Sequence, residues 1–200
     1  MPKLSTKFSL SISVNQKIYD LAVKLVLFYR KLWYGYTFRR IPLTQGKYAI
    51  VDVEDYERVN RYKWYIKGGS RSSTYYAART ITISRAIRIL VCMHRFIINA
   101  PDGLEVDHIN GNGLDNRKAN LRLATNAQNA RNKAKRRNAR VSRYKGVKRN
   151  KKGKRWFATI NYNGQRIYLG TYDTEIQAAR AYDRAACKLH KEFARLNFPD

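Results

Sequence analysis

The residues best equipped for chemistry lie in Glu105-Val-Asp-His-Ile-Asn-Gly-Asn-Gly-Leu-Asp-Asn116 and in Asn120-Leu-Arg-Leu-Ala-Thr-Asn-Ala-Gln-Asn129. An acid beside an imidazole, followed at short range by several amides, suits metal-assisted hydrolysis of a phosphodiester. The Asp107 carboxylate and the Asn129 amide oxygen are hard donors for one Mg2+ or Mn2+, which keeps water and phosphate oxygens in its other positions. A neutral His108 beside them can take a proton from the attacking water, since an unperturbed imidazole titrates at about 6.5. The metal would stabilise charge growing on the leaving oxygen. Asn120 could accept a hydrogen bond from the other ring nitrogen and fix the tautomer. An Asp-His pair alone arises by chance, and Asn-rich loops are usually turns. The weight therefore rests on the whole set occurring together.

Such residues act only if the backbone gathers them. The pattern reads as a short strand ending in Asp107-His108, a Gly/Asn-rich loop, a second strand Leu121–Ala124, and a helix capped by Thr125. Asn129 falls one turn into that helix. Upstream, residues 16–36 carry apolar side chains near helical spacing, and core packing is their simplest use, ahead of an interfacial or partner-binding face. From Ile41 the period changes. Tyr48–Val53, Lys63–Ile66 and Thr74–Thr82 read as strands and Asp55–Tyr62 as a short helix, so residues 41–100 form a small α+β unit.

Composition narrows the partner. Among 200 residues, 41 are Lys or Arg and 14 are Asp or Glu, a formal net charge of +27. A field of that size selects nucleic acid or an anionic membrane. No segment reads as a membrane span: the most apolar early stretch, residues 21–36, is broken by Lys24, Arg30 and Lys31. Met1–Lys17 reads as a frayed leader. With no export signal, the expected location is the cytoplasm of a bacterial or phage-infected host, or the nucleus or an organelle of a eukaryote. Cys92 and Cys187 form no Cys-x-x-Cys pair and are expected to be buried small hydrophobes in a reducing compartment.

Residues 131–155 contain no acid, and contact with phosphates is the favoured use of that run. Ala134–Val141 reads as a helix end running into a connector. Beyond it, Trp156–Ile160 and Gln165–Leu169 are β-rich runs around Tyr162-Asn163-Gly164, a hairpin signal because both central residues tolerate positive φ. Thr174-x-x-Gln177 is a capping box opening a helix to about His190.

Two resemblances follow. His94-Arg95, Asp107-His108, Asp115-Asn116, Asn120-Leu121 and Asn129 together resemble the HNH endonucleases of the ββα-metal fold, in the form found in phages and mobile introns. With Ile41-Pro-Leu-Thr-Gln-Gly and Lys63-Trp64 the likeness covers about residues 41–135. It implies Asp107 and Asn129 as ligands of one divalent ion, His108 as general base and Asn120 as its orienter. His94 is placed with the catalytic group, with packing or phosphate contact as open alternatives. Tyr144-Lys-Gly-Val, Trp156, Tyr168-Leu-Gly-Thr-Tyr-Asp173, Ala178–Ala186 and Asn197-Phe-Pro199 resemble the ethylene-response-factor (Apetala) type of DNA-binding domain over residues 143–199. That family reads the major groove with a three-stranded sheet packed on one helix. It implies Lys145, Lys148, Arg149, Lys154, Arg155, Trp156, Arg166 and Tyr168 as DNA-facing; helical spacing assigns Tyr172, Ala179 and Tyr182 to the core. Where the family often has Arg, this chain has Lys145, which lacks the planar two-pronged contact.

The expected class is therefore α+β: a small ββα-metal nuclease domain followed by a three-stranded antiparallel sheet packed on one helix. The expected divisions are an N-terminal leader and helix (1–40), the nuclease (41–135), a basic linker (136–142) and the reading domain (143–199). The expected partner is double-stranded DNA, met as monomer or weak dimer, with no membrane. A DNA-binding protein with an inactive nuclease remnant is the alternative, and an RNA-binding protein the third.

Overall fold

In the computed structural model, residues 4–68, 74–133, 142–150 and 153–199 are described, with side chains from residue 15 onward. The connector expected at Ala134–Val141 lies outside the described residues. The chain divides into two compact units, Met1–Met93 with Leu114–Lys118, and His94–Gly113 with Ala119–Asp200. Among the described residues, no helix is long and apolar enough to cross a membrane.

The first unit opens with helix α1, Leu4–Tyr34, which takes in most of the stretch expected to be a frayed leader. Its apolar side chains Ile18, Leu21, Leu25, Phe28 and Leu32 stand exposed, against the core packing expected of them. Strands β1 (Arg39–Pro42) and β2 (Tyr48–Val51) pair antiparallel, and helix α2 (Val53–Asn60) follows. Strands β3 (Tyr65–Lys67), β4 (Tyr76–Thr82) and β5 (Arg88–Cys92) make a three-stranded antiparallel sheet. The segment Leu114–Lys118 returns here: Ile50 N donates to Leu114 O and Asn116 N to Ile50 O, at 2.9 and 2.8 Å. Asp115 accepts a two-pronged bond from Arg117 at 2.8 and 2.6 Å, so Asp115-Asn116 builds a buried joint.

In the second unit, helix α3 (Met93–Ile98, its last five residues here) leads to strand β6 (Glu105–His108). Arg95 clasps the turn between them by donating to Leu104 O, Ala100 O and Pro101 O at 2.6, 3.3 and 3.0 Å. Strand β7 (Leu121–Ala124) pairs antiparallel with β6. Helix α4 (Asn126–Asn132) then starts at Thr125, whose hydroxyl accepts from Gln128 N while the Gln128 side chain accepts from Thr125 N. These two reciprocal bonds satisfy amides that a helix start leaves open.

The C-terminal part has the expected architecture. Strands β8 (Val147–Arg149), β9 (Trp156–Tyr162) and β10 (Gln165–Tyr172) form an antiparallel sheet with β9 in the middle. Asn163 and Gly164 turn the hairpin at φ of 49° and 78°. Helix α5 (Glu175–His190), opened by the Thr174–Gln177 capping box, packs Ala178, Ala179, Tyr182 and Ala186 against Val147, Ala158 and Ile160. Tyr182 fits only because residue 146 is glycine: a Cβ there would stand 1.9 Å from the ring. Cys187, one position beyond core residue Ala186, is an exposed free thiol and Cys92 is half-buried, so neither has the full burial expected of it.

Candidate functional site

The β6–β7 hairpin sets the centre. Its register places Asp107 opposite Arg122 and His108 opposite Leu121. Asp107, His108, His94 and Asn120 are all buried, which is costly for polar groups unless each finds partners. Asp107 finds them on two sides. Arg122 Nε and a terminal nitrogen donate to Asp107 Oδ2 at 2.8 and 2.6 Å. Asn132 Nδ2 donates to Oδ1 and Oδ2 at 2.9 and 3.0 Å and to His108 O at 2.9 Å.

The chain has three histidines, and two of them meet here: the His94 and His108 rings stand edge to face with centroids 5.0 Å apart. Asn120 Oδ1 accepts from Asn110 N at 3.0 Å and Asn120 Nδ2 donates to Asn110 Oδ1 at 3.0 Å. This reciprocal amide pair closes the Asn-rich loop directly after His108. Asn129 lies half-buried on α4, three residues before Asn132 and so on the same helix face. Asp107, His108, His94 and Asn120 thus come together, with Asn132 as the amide that touches Asp107.

Two participants escaped the sequence reading. Arg122 was legible in principle as the cross-strand partner of Asp107, an opposite-charge pair. Asn132 carried a weaker signal, its i+3 relation to Asn129. Arg122 also donates its other terminal nitrogen to Glu192 O and lies over the Phe193 ring, 4.0 Å from its centroid.

The centre can be tested for a divalent ion. Among the described residues, no group of three or more His, Cys, Asp or Glu is placed to hold a metal. A site here would rest on one carboxylate, amide oxygen, water and phosphate, the donor set that Mg2+ tolerates best. Asp107 Oδ1 accepts from Asn132, whereas Oδ2 carries Arg122 as well. A carboxylate oxygen has two acceptor positions, so Oδ1 keeps capacity for a hard cation and Asp107 fits one.

The sheet sorts the DNA-facing candidates. Strand alternation puts Lys148, Phe157, Thr159, Asn161, Arg166 and Tyr168 on the face opposite the core, in register Lys148–Phe157, Thr159–Tyr168 and Asn161–Arg166. Lys148, Arg166 and Tyr168 are exposed there. Trp156 shares the inward parity of Ala158 and packs against the core, with Arg149 5.4 Å from its ring centroid. Lys154 is exposed just before β9, and Arg155 bonds Asp173 at 2.9 Å in an exposed pair. Lys145 is placed otherwise: its Nζ donates to Arg131 O and, at 2.8 Å, to Lys133 O, capping the end of α4. Burial, then Arg195, pushes its pKa down to about 8. Phe157, 6.5 Å from the Tyr168 ring, is an outer-face aromatic that the sequence reading passed over.

A hairpin and helix around a buried Asp-His pair, joined to a basic three-stranded sheet on one helix, define a two-part protein of the HNH class. The HNH endonuclease family model matches residues 99–131 and the AP2 domain model residues 142–192. An uncharacterised HNH endonuclease of Acanthamoeba polyphaga mimivirus is 31% identical over 202 residues, covering 98% of this chain and 94% of that protein. The chain belongs to the HNH endonuclease family and carries an AP2 domain. Its C-terminal part is 48% identical over 61 residues to an ethylene-responsive transcription factor of Arabidopsis thaliana and 45% identical over 60 residues to APETALA2-like protein 2 of Oryza sativa subsp. japonica. These matches cover 30% of this chain, and 32% and 14% of those proteins.

Proposed function

We propose that this protein is a site-specific, divalent-metal-dependent DNA endonuclease in which residues 41–135 cut and residues 143–199 place the cut. The observation that carries the reading is the buried Asp107-His108 pair at the end of β6, with His94 and the Asn129/Asn132 face of α4 around it. Asp107 and Asn129 would hold a Mg2+ or Mn2+ ion, which supplies charge stabilisation at the leaving oxygen. An imidazole nitrogen of His108 accepts the proton of the attacking water as its oxygen bonds to phosphorus and the ester P–O bond breaks. Asn120 fixes the loop after His108 through Asn110 and so holds the imidazole's position. Lys148, Arg166 and Tyr168 meet the duplex, the cations on phosphates and base edges, the ring on sugar and base surface. One centre per chain cuts one strand at a time.

One observation favours the alternative, a DNA-binding protein with a silent nuclease half: Asp107 already carries the Arg122 fork. The two readings separate on supercoiled plasmid containing the gene's flanking DNA, incubated with Mg2+, Mn2+ or EDTA. Nicking by wild type with metal, absent with EDTA and in His108→Ala, is the expected result. Tight binding by both proteins with no cutting under either metal would overturn the nuclease reading and leave the binder.

A further inference from the structure

A cleft of about 470 Å³ opens beside β9, beyond the start of β8. Ala127, Ala130 and Arg131 of α4 line it together with Lys148, Asn161 and Arg166 of the sheet. No acidic side chain is among the residues lining it. Lys145 and His190 also border it, so the ionisable side chains around this space, Arg131, Lys148 and Arg166 foremost, are all basic. The crowding leaves a mark: Arg131 and Lys145 both act to lower the pKa of His190, behind burial as the main cause. His190 is buried, and its Nε2 bonds Asn161 O at 2.9 Å. Like charges gathered without a counter-charge repel one another, and an anion between them removes that repulsion.

The position of Arg131 gives the cleft a direction. Ala127, Ala130 and Arg131 are spaced by three and four residues and share one side of α4. Asn129 and Asn132, also three apart, occupy the opposite side, where Asn132 holds Asp107. The cleft is continuous with the outer face of the sheet through Lys148 and Arg166.

We propose that this cleft is a phosphate site for the backbone of the bound duplex, in which Arg131 of α4 joins Lys148 and Arg166 of the sheet on one stretch of DNA. The proposal rests on the reading of the C-terminal sheet as a duplex binder. A strand so held touches both the reading sheet and the helix whose far side carries Asn129 and Asn132, which places the duplex against the helix that supports the nuclease centre.

The test is fluorescence anisotropy of the full chain with a random-sequence duplex, read as affinity against salt. Each cation–phosphate contact adds about 0.9 to the slope of log affinity on log salt. Arg131→Gln should lower the slope by about that amount, so that over a fourfold rise in salt it loses about 3.5-fold less affinity than wild type. Arg131→Lys should restore the slope, which controls for folding. Arg184→Gln, on the exposed side of α5, should leave it unchanged. An unchanged slope in Arg131→Gln, with Arg166→Gln lowering it, would overturn the site and leave the sheet as a DNA binder. If wild type fails to bind duplex, the underlying reading falls and the site with it. A free-phosphate site would show as Arg131-dependent thermal stabilisation by inorganic phosphate at fixed ionic strength with no slope change, and that too would overturn the proposal.

Discussion

Replacing Arg122 with Met would leave Asp107 buried without the cation that, among the described residues, pairs with it. The side chains of the pair keep 16% and 5% of their exposed surface, so water can do little to replace the guanidinium. Removing one partner of a buried pair costs about 3–5 kcal/mol. Asn132 still donates to both carboxylate oxygens, which places the expected loss at the low end, about 3 kcal/mol. Against a typical total of about 5–15 kcal/mol this is a large fraction. Urea unfolding measures it directly as a lower midpoint at unchanged slope. Asp107→Asn removes the charge that Arg122→Met strands, so the double variant should be more stable than the two single losses predict, by about 2 kcal/mol. If the single effects add to within about 0.5 kcal/mol, the pair is not coupled and the account of Asp107 as a carboxylate held by Arg122 is wrong.

Gly146→Ala should destabilise the C-terminal domain by about 2 kcal/mol or more in urea, because φ is +76° and the new methyl would sit 1.9 Å from the Tyr182 ring. Thr125→Ala removes the hydroxyl that caps α4 and should cost about 1 kcal/mol in the same assay. Lys145 should make stability depend on pH. The folded chain releases this proton at about 8 and the unfolded chain near the ordinary 10.5, so between those values the unfolded state binds more protons and stability rises with pH. Tyr182, pushed up to about 12 from 10 by burial, acts oppositely above pH 10. The melting temperature should therefore carry an upward contribution between about pH 8 and 10 that Lys145→Met lacks, and identical pH profiles would count against the half-buried placement of Lys145.

What was legible in the sequence was local. Thr125 and Thr174 announce helix starts through their own capping boxes, and Asn163-Gly164 sets a hairpin by backbone preference alone. Strand β7, Leu121–Ala124, is readable from its own short run of residues. What was not legible depends on which element lies across from which. β1 and β5 draw their definition from pairing partners rather than from their own periodicity, and α1 shows helical spacing without the burial that spacing usually signals. Trp156 looked like a DNA-facing aromatic among cations, yet its parity with Ala158 turns it toward the core and gives the outer face to Phe157. A one-residue step along a strand reverses the face, so composition alone could not decide between the two.

The site residues divide in the same way. Asp107, His108 and Asn120 were readable because their types suit hydrolysis and they lie within one short segment. Arg122 needed the register of β6 on β7, and Lys145 needed a helix end that lies twelve to fourteen residues upstream of it and offers carbonyls to its ammonium. Both are long cations in a chain that carries 41 of them, and the obvious use for any one is a phosphate. The structure assigns these two to carbonyls, a carboxylate and an aromatic ring instead, where they bind the parts of the second unit together. Arg122 spans Asp107, Glu192 O and Phe193 with a single guanidinium, and Lys145 joins the end of α4 to the turn before β8. Arg can serve three partners at once because its donors are fixed in a plane and its face is free to lie on a ring. Arg122→Lys should accordingly keep the charge on Asp107 yet lose the contacts to Glu192 and Phe193. A stability between wild type and Arg122→Met would measure how much of the coupling is geometry rather than charge.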